Sequence, residues 1–132
     1  MFSIGNVSIN SPLVLAPMAG ISDLPYRLIN RPFGCSLAFT EMIDAGSLTH
    51  KSENSSKRLS SSSCDRLLGI QIAGGDEEMI KRALDILSGH QFDIIDFNAA
   101  CPVKRVVLNG HGAGLLKDPV KREFLLRKIN PV

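Results

Sequence analysis

The stretch that decides the fold is the mostly apolar run of residues 92–97, FDIIDF, with the segment that follows it, Asn98-Ala99-Ala100-Cys101-Pro102. A short apolar run bounded by a turn signal is typical of a buried strand. Pro102 has no amide hydrogen and cannot continue a central strand, so we expect the chain to turn there. Such a turn would hold the Cys101 thiol beside the Asn98 amide. This is a candidate site, and a buried structural cysteine at a strand end is the alternative.

Three earlier segments also have the character of strands. They are Leu13–Ala16, Leu37–Thr40 and Leu67–Ile72. A short hairpin formed by Ile4, Val7 and Ile9 is expected to precede them.

Helical patterns separate these strands. Ser22 or Asp23 can cap a first helix, which would end at Pro32 and Gly34. Asp76 and the two glutamates after it favour a helix start, and Asp118-Pro119 begins another helix that runs to about Ile129. Strand and helix thus alternate four times, which predicts a parallel sheet covered by helices.

This α/β pattern fits either a doubly wound sheet or a (β/α) barrel. No G-x-G-x-x-G follows the first strand, which weakens the dinucleotide-binding alternative. Polar residues collect where the predicted strands end, at residues 17–20, at Glu41, at Gln71 and at residues 98–101. In a barrel, that rim carries the active site. Glu41 is equally consistent with a site wall and with a salt bridge, whereas Asp96 is expected to form a structural ion pair.

Residues 49–66 differ from the rest because charged residues lie among many serines. We expect a solvated loop there.

Composition limits the function classes. The chain has 132 residues, 44% hydrophobic and 21% charged, as expected for one soluble globular unit. A net charge of +2 is too small to indicate nucleic-acid binding by bulk electrostatics. Three widely spaced cysteines, Cys35, Cys64 and Cys101, argue against a disulfide framework and against a metal site, and favour a reducing cytoplasm. We expect neither a secretory signal nor a membrane span.

Six ordered blocks of sequence together resemble the tRNA-dihydrouridine synthases. They are Ala16-Pro17-Met18-Ala19-Gly20, Asp23-Leu24-Pro25-Tyr26-Arg27, Thr40-Glu41-Met42, Gln71-Ile72, Asn98-x-x-Cys101-Pro102-Val103-Lys104-Arg105-Val106 and Gly112-Ala113-Gly114-Leu115-Leu116-Lys117-Asp118-Pro119. The resemblance implies an FMN-carrying (β/α)8 barrel of the TIM type, of which residues 1–132 would supply about the first four βα units. It also implies a helical RNA-binding domain elsewhere. The implied reaction is reduction of the C5–C6 bond of a uridine in tRNA, with NADPH as reductant.

The resemblance also implies roles for single residues. Pro17, Met18 and Ala19 match the loop against the FMN ring, and Gln71 matches a flavin-contacting glutamine. Cys101 matches the proton donor. An ordinary thiol has a pKa of about 8.5 and is mostly protonated at neutral pH, which suits proton donation.

The match at the substrate side is partial. Asn98 matches a residue near the substrate uracil. Lys104 and Arg105 are placed to meet tRNA phosphates, with exposed basic residues of a turn as the alternative. Ala99-Ala100 stands where the family often has Met-Gly, and a lost glycine would disturb the turn if φ there must be positive.

A complete barrel takes about 250 residues, so half of it and its later phosphate contacts are expected to lie outside this sequence. An isolated chain should then bind FMN poorly, and its unpaired sheet edges should favour self-association. Two other functions stay open: a flavin barrel acting on a free pyrimidine, similar to dihydroorotate dehydrogenase, and a non-catalytic fragment that binds RNA or a partner.

Overall fold

The computed structural model describes residues 1–50 and 52–129. These residues form two compact units, each assembled from separate segments of the chain. The first unit contains Met1–Met42, Glu53–Gln71 and Gln91–Asp96. The second contains residues 43–50, 52, 72–90 and 97–129.

Strands and helices are interspersed along the described residues. The strands are β1 (Phe2–Ile4), β2 (Val7–Ile9), β3 (Val14–Leu15), β4 (Leu37–Phe39), β5 (Ile43–Asp44), β6 (Leu68–Ala73) and β7 (Ile94–Phe97). The α-helices are α1 (Leu24–Asn30), α2 (Ala45–Thr49), α3 (Glu53–Arg58), α4 (Glu77–Leu87), α5 (Lys104–Leu108) and α6 (Pro119–Ile129). Two 3-10 helices cover Arg31–Phe33 and Gly112–Lys117. The α/β prediction is confirmed.

Parallel strands form the centre of the first unit. The Cα partners are Val14–Leu37 and Leu15–Ala38 between β3 and β4, and Ala38–Leu68 and Phe39–Gly69 between β4 and β6. β7 pairs with β6, and the amide of Asp93, just before β7, donates to the carbonyl of Leu68 at 2.8 Å. Within this unit, β3, β4, β6 and β7 are therefore neighbours in the order in which they occur in the chain.

The predicted N-terminal hairpin is confirmed in the same unit. β1 and β2 pair in antiparallel register, with Phe2 opposite Ile9. Gly5 makes the turn at a φ of 55°, a conformation that glycine adopts without a steric cost. Ile9 is fully buried.

A buried ion cluster fixes α1 within the first unit. Asp23 caps this helix by accepting the amide hydrogen of Tyr26 at 2.9 Å. From the helix, Arg27 donates to Asp65 Oδ2 through Nε at 2.9 Å, and Arg31 donates to Asp65 Oδ1 through Nη2 at 2.6 Å. The Asp65 side chain is 0% exposed, so its charge is compensated by the two guanidinium groups and not by water.

The prediction of a loop over residues 49–66 is wrong in part. Helix α3 lies within this range, and Ser55 and Leu59 are buried. The serine-rich sequence has low hydrophobicity and shows no clear apolar stripe, so the helical period is hidden.

Helices dominate the second unit. β5 pairs in parallel with the end of β6, where Ile43 lies opposite Ile72. α4 is capped by Asp76, packs against α2 and α6, and buries Ile80, Ala83 and Leu87. No helix within residues 1–50 and 52–129 is long and apolar enough to cross a membrane.

Candidate functional site

The loop after β3 is held in one conformation by a buried serine. Ser22 is 0% exposed, and its Oγ accepts the amide hydrogen of Met18 at 2.9 Å and donates to the carbonyl of Met18 at 3.1 Å. The backbone amide of Ser22 also donates to this carbonyl at 2.9 Å. Pro17 and Met18 are half-buried and Ala19 is exposed. The loop therefore offers a small, fixed and uncharged surface.

Glu41 attaches this loop to the end of β4. Its Oε2 accepts the amide hydrogen of Gly20 at 2.5 Å, and Arg58 Nε lies 3.6 Å from the same oxygen. Gly20 has a φ of 74°, which an L side chain rarely adopts. Glu41 thus supports the loop and lies beside a cation, as the salt-bridge alternative predicts.

The strand register places candidate residues of the first unit near the carboxyl ends of its parallel strands. Leu15 at the end of β3 lies opposite Ala38, and Phe39 at the end of β4 lies opposite Gly69. Met18 and Glu41 follow β3 and β4, whereas Gln71 lies within β6. The carboxyl ends of parallel strands are where ligands bind in α/β folds.

The Gln71 side chain is fixed by a carboxylate. It is buried, at 6% exposure, and its Nε2 donates to Asp96 Oδ2 at 2.5 Å. Its backbone amide lies 3.3 Å from Thr40 Oγ1. Asp96 therefore contacts an amide side chain, where the sequence predicted a partner of opposite charge.

A polar cleft of about 360 Å³ also lies in the first unit. It is lined by Asp23, Glu41, Asn54, Lys57 and Arg58. Charges of both signs face it, and Lys57 Nζ lies 2.8 Å from Glu53 Oε1. The cleft is not selective for anions.

In the second unit, Asn98 builds the turn that carries Cys101. Its Oδ1 accepts the amide hydrogens of Ala100 at 3.1 Å and of Cys101 at 2.8 Å. A side-chain oxygen that accepts from the backbone two or three residues ahead makes an Asx turn. The predicted turn is confirmed, and a side chain organises it.

The glycine-rich segment closes over the back of this turn. The amide of Ala113 donates to the carbonyl of Cys101 at 3.0 Å. Gly112 has a φ of 54°, and a Cβ on it would lie 2.7 Å from that carbonyl oxygen and 3.0 Å from the Cβ of Cys101. Only glycine fits here, so the Cys101 backbone is held on two sides.

An Asp–His pair stabilises the start of that segment. His111 Nδ1 lies 3.2 Å from Asp44 Oδ2, and the backbone amide of His111 donates to the carbonyl of Val106 at 3.1 Å. The other carboxylate oxygen of Asp44 caps α2 through the amide of Ser47. His111 is thus a loop-fixing residue.

Two basic residues open the short helix that follows the turn. Lys104 and Arg105 are both exposed on α5. The sequence predicts a turn at this point, and the structure has a helical turn whose basic side chains face solvent.

The structure brings some of the predicted site residues together within each unit. In the first unit, Pro17, Met18 and Ala19 follow β3, and Gln71 lies in β6, with β4 between these two strands. In the second unit, Asn98 contacts Cys101. Sequence reasoning missed Ser22, the Glu41–Gly20 contact, the Gln71–Asp96 pair and the close packing of Gly112. Only the alternation of Asp96 and Asn98 along one strand hinted at any of these.

The cysteines and acidic residues do not suggest another chemistry. Cys35, Cys64 and Cys101 are free thiols. Within residues 1–50 and 52–129, no three histidine, cysteine, aspartate or glutamate side chains are grouped so that they could hold a metal ion.

Comparison with known proteins gives a consistent match. Residues 14–129 match the family described as dihydrouridine synthase (Dus). The chain is 37% identical over 118 residues to a probable tRNA-dihydrouridine synthase of Helicobacter pylori, covering 89% of this chain and 36% of that protein. It is 32% identical over 126 residues to tRNA-dihydrouridine synthase B of Vibrio parahaemolyticus, covering 96% of this chain and 39% of that protein. The chain thus spans little more than a third of the length of these curated relatives.

Proposed function

Because the chain belongs to the dihydrouridine synthase family, we propose that it is the N-terminal part of a flavin-dependent enzyme that reduces uridine in tRNA to 5,6-dihydrouridine. The observation that carries this proposal is the turn at Asn98 and Cys101, which fixes a thiol just after a strand end. We further propose that tRNA is the partner and that the enzyme works in the cytoplasm.

The order of strands supports a barrel as the complete fold. β3, β4, β6 and β7 are neighbours in chain order in the first unit, as strands are in a (β/α) barrel. We propose that these strands are the first four of eight.

The residues of the first unit fit the ring system of FMN. The Pro17–Ala19 loop supplies uncharged surface for a flat aromatic ring, and its conformation is fixed by Ser22 and Glu41. Gln71 supplies an amide, which complements the imide edge of a flavin. These residues would hold the ring, and the bound flavin, reloaded by NADPH, would supply a hydride to uracil C6.

Proton donation is the role that we assign to Cys101. As C6 receives the hydride, negative charge develops at C5 and O4, and C5 must receive a proton. The thiol S–H bond breaks, its proton forms the new C–H bond at C5, and the thiolate is reprotonated from solvent. Asn98 would orient the uracil, since it stands three residues before the thiol and fixes the turn that carries it. Exposed Lys104 and Arg105 would meet tRNA phosphates.

The test uses a fusion in which this chain replaces the matching portion of the Vibrio parahaemolyticus relative. Dihydrouridine in tRNA is measured by mass spectrometry. Cys101→Ala is expected to lower turnover by about 10²- to 10⁴-fold, the usual contribution of a general acid. Cys64→Ala, which removes an exposed thiol, is the matched control and should leave turnover unchanged.

Full activity of the Cys101→Ala fusion would remove the proton-donor assignment. A folded fusion that reduces free pyrimidines and leaves tRNA unchanged would overturn the proposed substrate.

A further inference from the structure

We propose that Asp96 is a positioning residue that holds the Gln71 amide in one of its two possible orientations. This proposal deepens the proposed function, on which it rests for the identity of the ligand. It concerns two residues of the first unit whose side chains meet directly.

The chemistry of the pair determines the orientation. The two ends of a glutamine amide have nearly the same shape, but one end is an NH2 donor and the other a carbonyl acceptor. An ionised carboxylate only accepts hydrogen bonds. Gln71 must therefore turn its Nε2 toward Asp96 Oδ2, which is the contact found at 2.5 Å. The opposite orientation would place two acceptor oxygens against each other.

Burial makes this orientation important. Gln71 is 6% exposed, so water cannot readily satisfy a wrongly turned amide, and an unmet buried polar group costs about 1–3 kcal/mol. The site then presents a carbonyl acceptor on the side away from Asp96. A carbonyl oxygen accepts two hydrogen bonds, so it can serve a ligand N–H in addition to a protein group. The imide N3–H of a flavin is such a donor.

Substitution of Asp96 by asparagine removes the directional constraint without changing the shape. Asparagine offers both a donor and an acceptor, so either orientation of Gln71 becomes compatible with it. Asp93→Asn is the matched control. It changes a carboxylate close by in the chain that contacts Arg66 and the amide of Leu68 but is not a partner of Gln71.

The first measurement needs no ligand. In a proton–nitrogen NMR spectrum of the chain, the Gln71 side-chain NH2 signals are assigned by their loss in Gln71→Glu. Asp96→Asn is expected to shift or split these signals while the backbone fingerprint stays in place, and Asp93→Asn should leave them unchanged. Unchanged Gln71 signals in Asp96→Asn would overturn the proposal.

The second measurement compares FMN with N3-methyl-FMN in a fluorescence titration of the fusion with the Vibrio parahaemolyticus relative, with and without Asp96→Asn. The unsubstituted protein is expected to bind FMN about tenfold more tightly, the effect of one hydrogen bond. In Asp96→Asn this preference should fall to about twofold or less. An equal preference in both proteins would overturn the proposal. If neither flavin binds to this fusion, the proposed flavin dependence fails, and the NMR result alone decides the role of Asp96.

Discussion

Asp65 carries its charge inside the first unit, between the guanidinium groups of Arg27 and Arg31. Both arginines also donate to backbone carbonyls: Arg27 to Ser22 at 2.8 Å and Arg31 to Leu67 at 2.9 Å. The cluster therefore connects helix α1 to the start of β6 and to the serine that shapes the Pro17–Gly20 loop. Stability and site geometry depend on the same side chains.

Replacement of Asp65 by asparagine should be strongly destabilising. The buried guanidinium of Arg27 and the partly exposed one of Arg31 would lose their counter-charge. Breaking a buried ion pair typically costs about 3–5 kcal/mol of unfolding free energy. Glu123→Gln is the control, because the Glu123 side chain is 66% exposed beside Arg127 and an exposed pair contributes about 0–1 kcal/mol. Urea denaturation measures the unfolding free energy of both variants. Similar midpoints for the two variants would contradict the structural role of Asp65.

At the residue scale, the sequence predicts chemistry better than contacts. Cys101 and Asn98 could be chosen because a thiol and an amide flank a proline-marked turn. The pairing of Asp65 with Arg27 could not be predicted, because 38 residues separate them and no local pattern encodes so distant a contact. Asp96 was expected to form an ion pair, and its amide partner Gln71 could not be predicted for the same reason.

At the scale of elements, the turn at Cys101 depends on the 3-10 helix that begins at Gly112. This glycine combines a positive φ with a carbonyl oxygen 2.7 Å from where a Cβ would stand. Gly110 provides a matched comparison, since its φ is 73° but nothing lies within 4 Å of its missing Cβ.

Gly112→Ala is therefore expected to cost more than Gly110→Ala. Gly110→Ala introduces backbone strain that lowers the unfolding free energy by about 1 kcal/mol. Gly112→Ala introduces the same strain and adds about 1–3 kcal/mol of overpacking. Gly112→Ala should also alter the alkylation rate of Cys101, measured in a background where Cys35 and Cys64 are serine. Equal stabilities and equal alkylation rates would show that the segment does not support the thiol.

Elements with a strong periodic pattern were predicted, and those without one were not. Helices α4 and α6 begin, as predicted, at a capping aspartate and at an Asp-Pro pair, and α6 extends to the predicted Ile129. Helix α3 was missed because its sequence, ENSSKR, has no apolar residue to mark a buried face. It is ordered by Ser55 and the following Leu59, which tertiary packing buries.

At the scale of the whole molecule, the chain corresponds to little more than a third of its relatives. The resemblance implies that the flavin ring is held by residues of this chain and the phosphate by residues of the remainder. We therefore expect the 132-residue polypeptide to bind FMN and riboflavin equally, within about threefold, because the two differ only in the phosphate.

Fluorescence titration of the two flavins tests this expectation. The fusion with the Vibrio parahaemolyticus relative should instead prefer FMN by about a hundredfold or more, since charge-assisted phosphate contacts each contribute about 1.5–3 kcal/mol. A hundredfold FMN preference in the short polypeptide would show that residues of this chain hold the phosphate.

The chain-order arrangement of β3, β4, β6 and β7 has a consequence for synthesis. Each strand that leaves the ribosome finds the preceding strand already made, so no partner has to wait for a distant segment. Each pairing, such as Leu15 with Ala38 or Phe39 with Gly69, still requires the helical segment between the two strands to be made first. A growing polypeptide can thus add one strand at a time to a template that it has just finished.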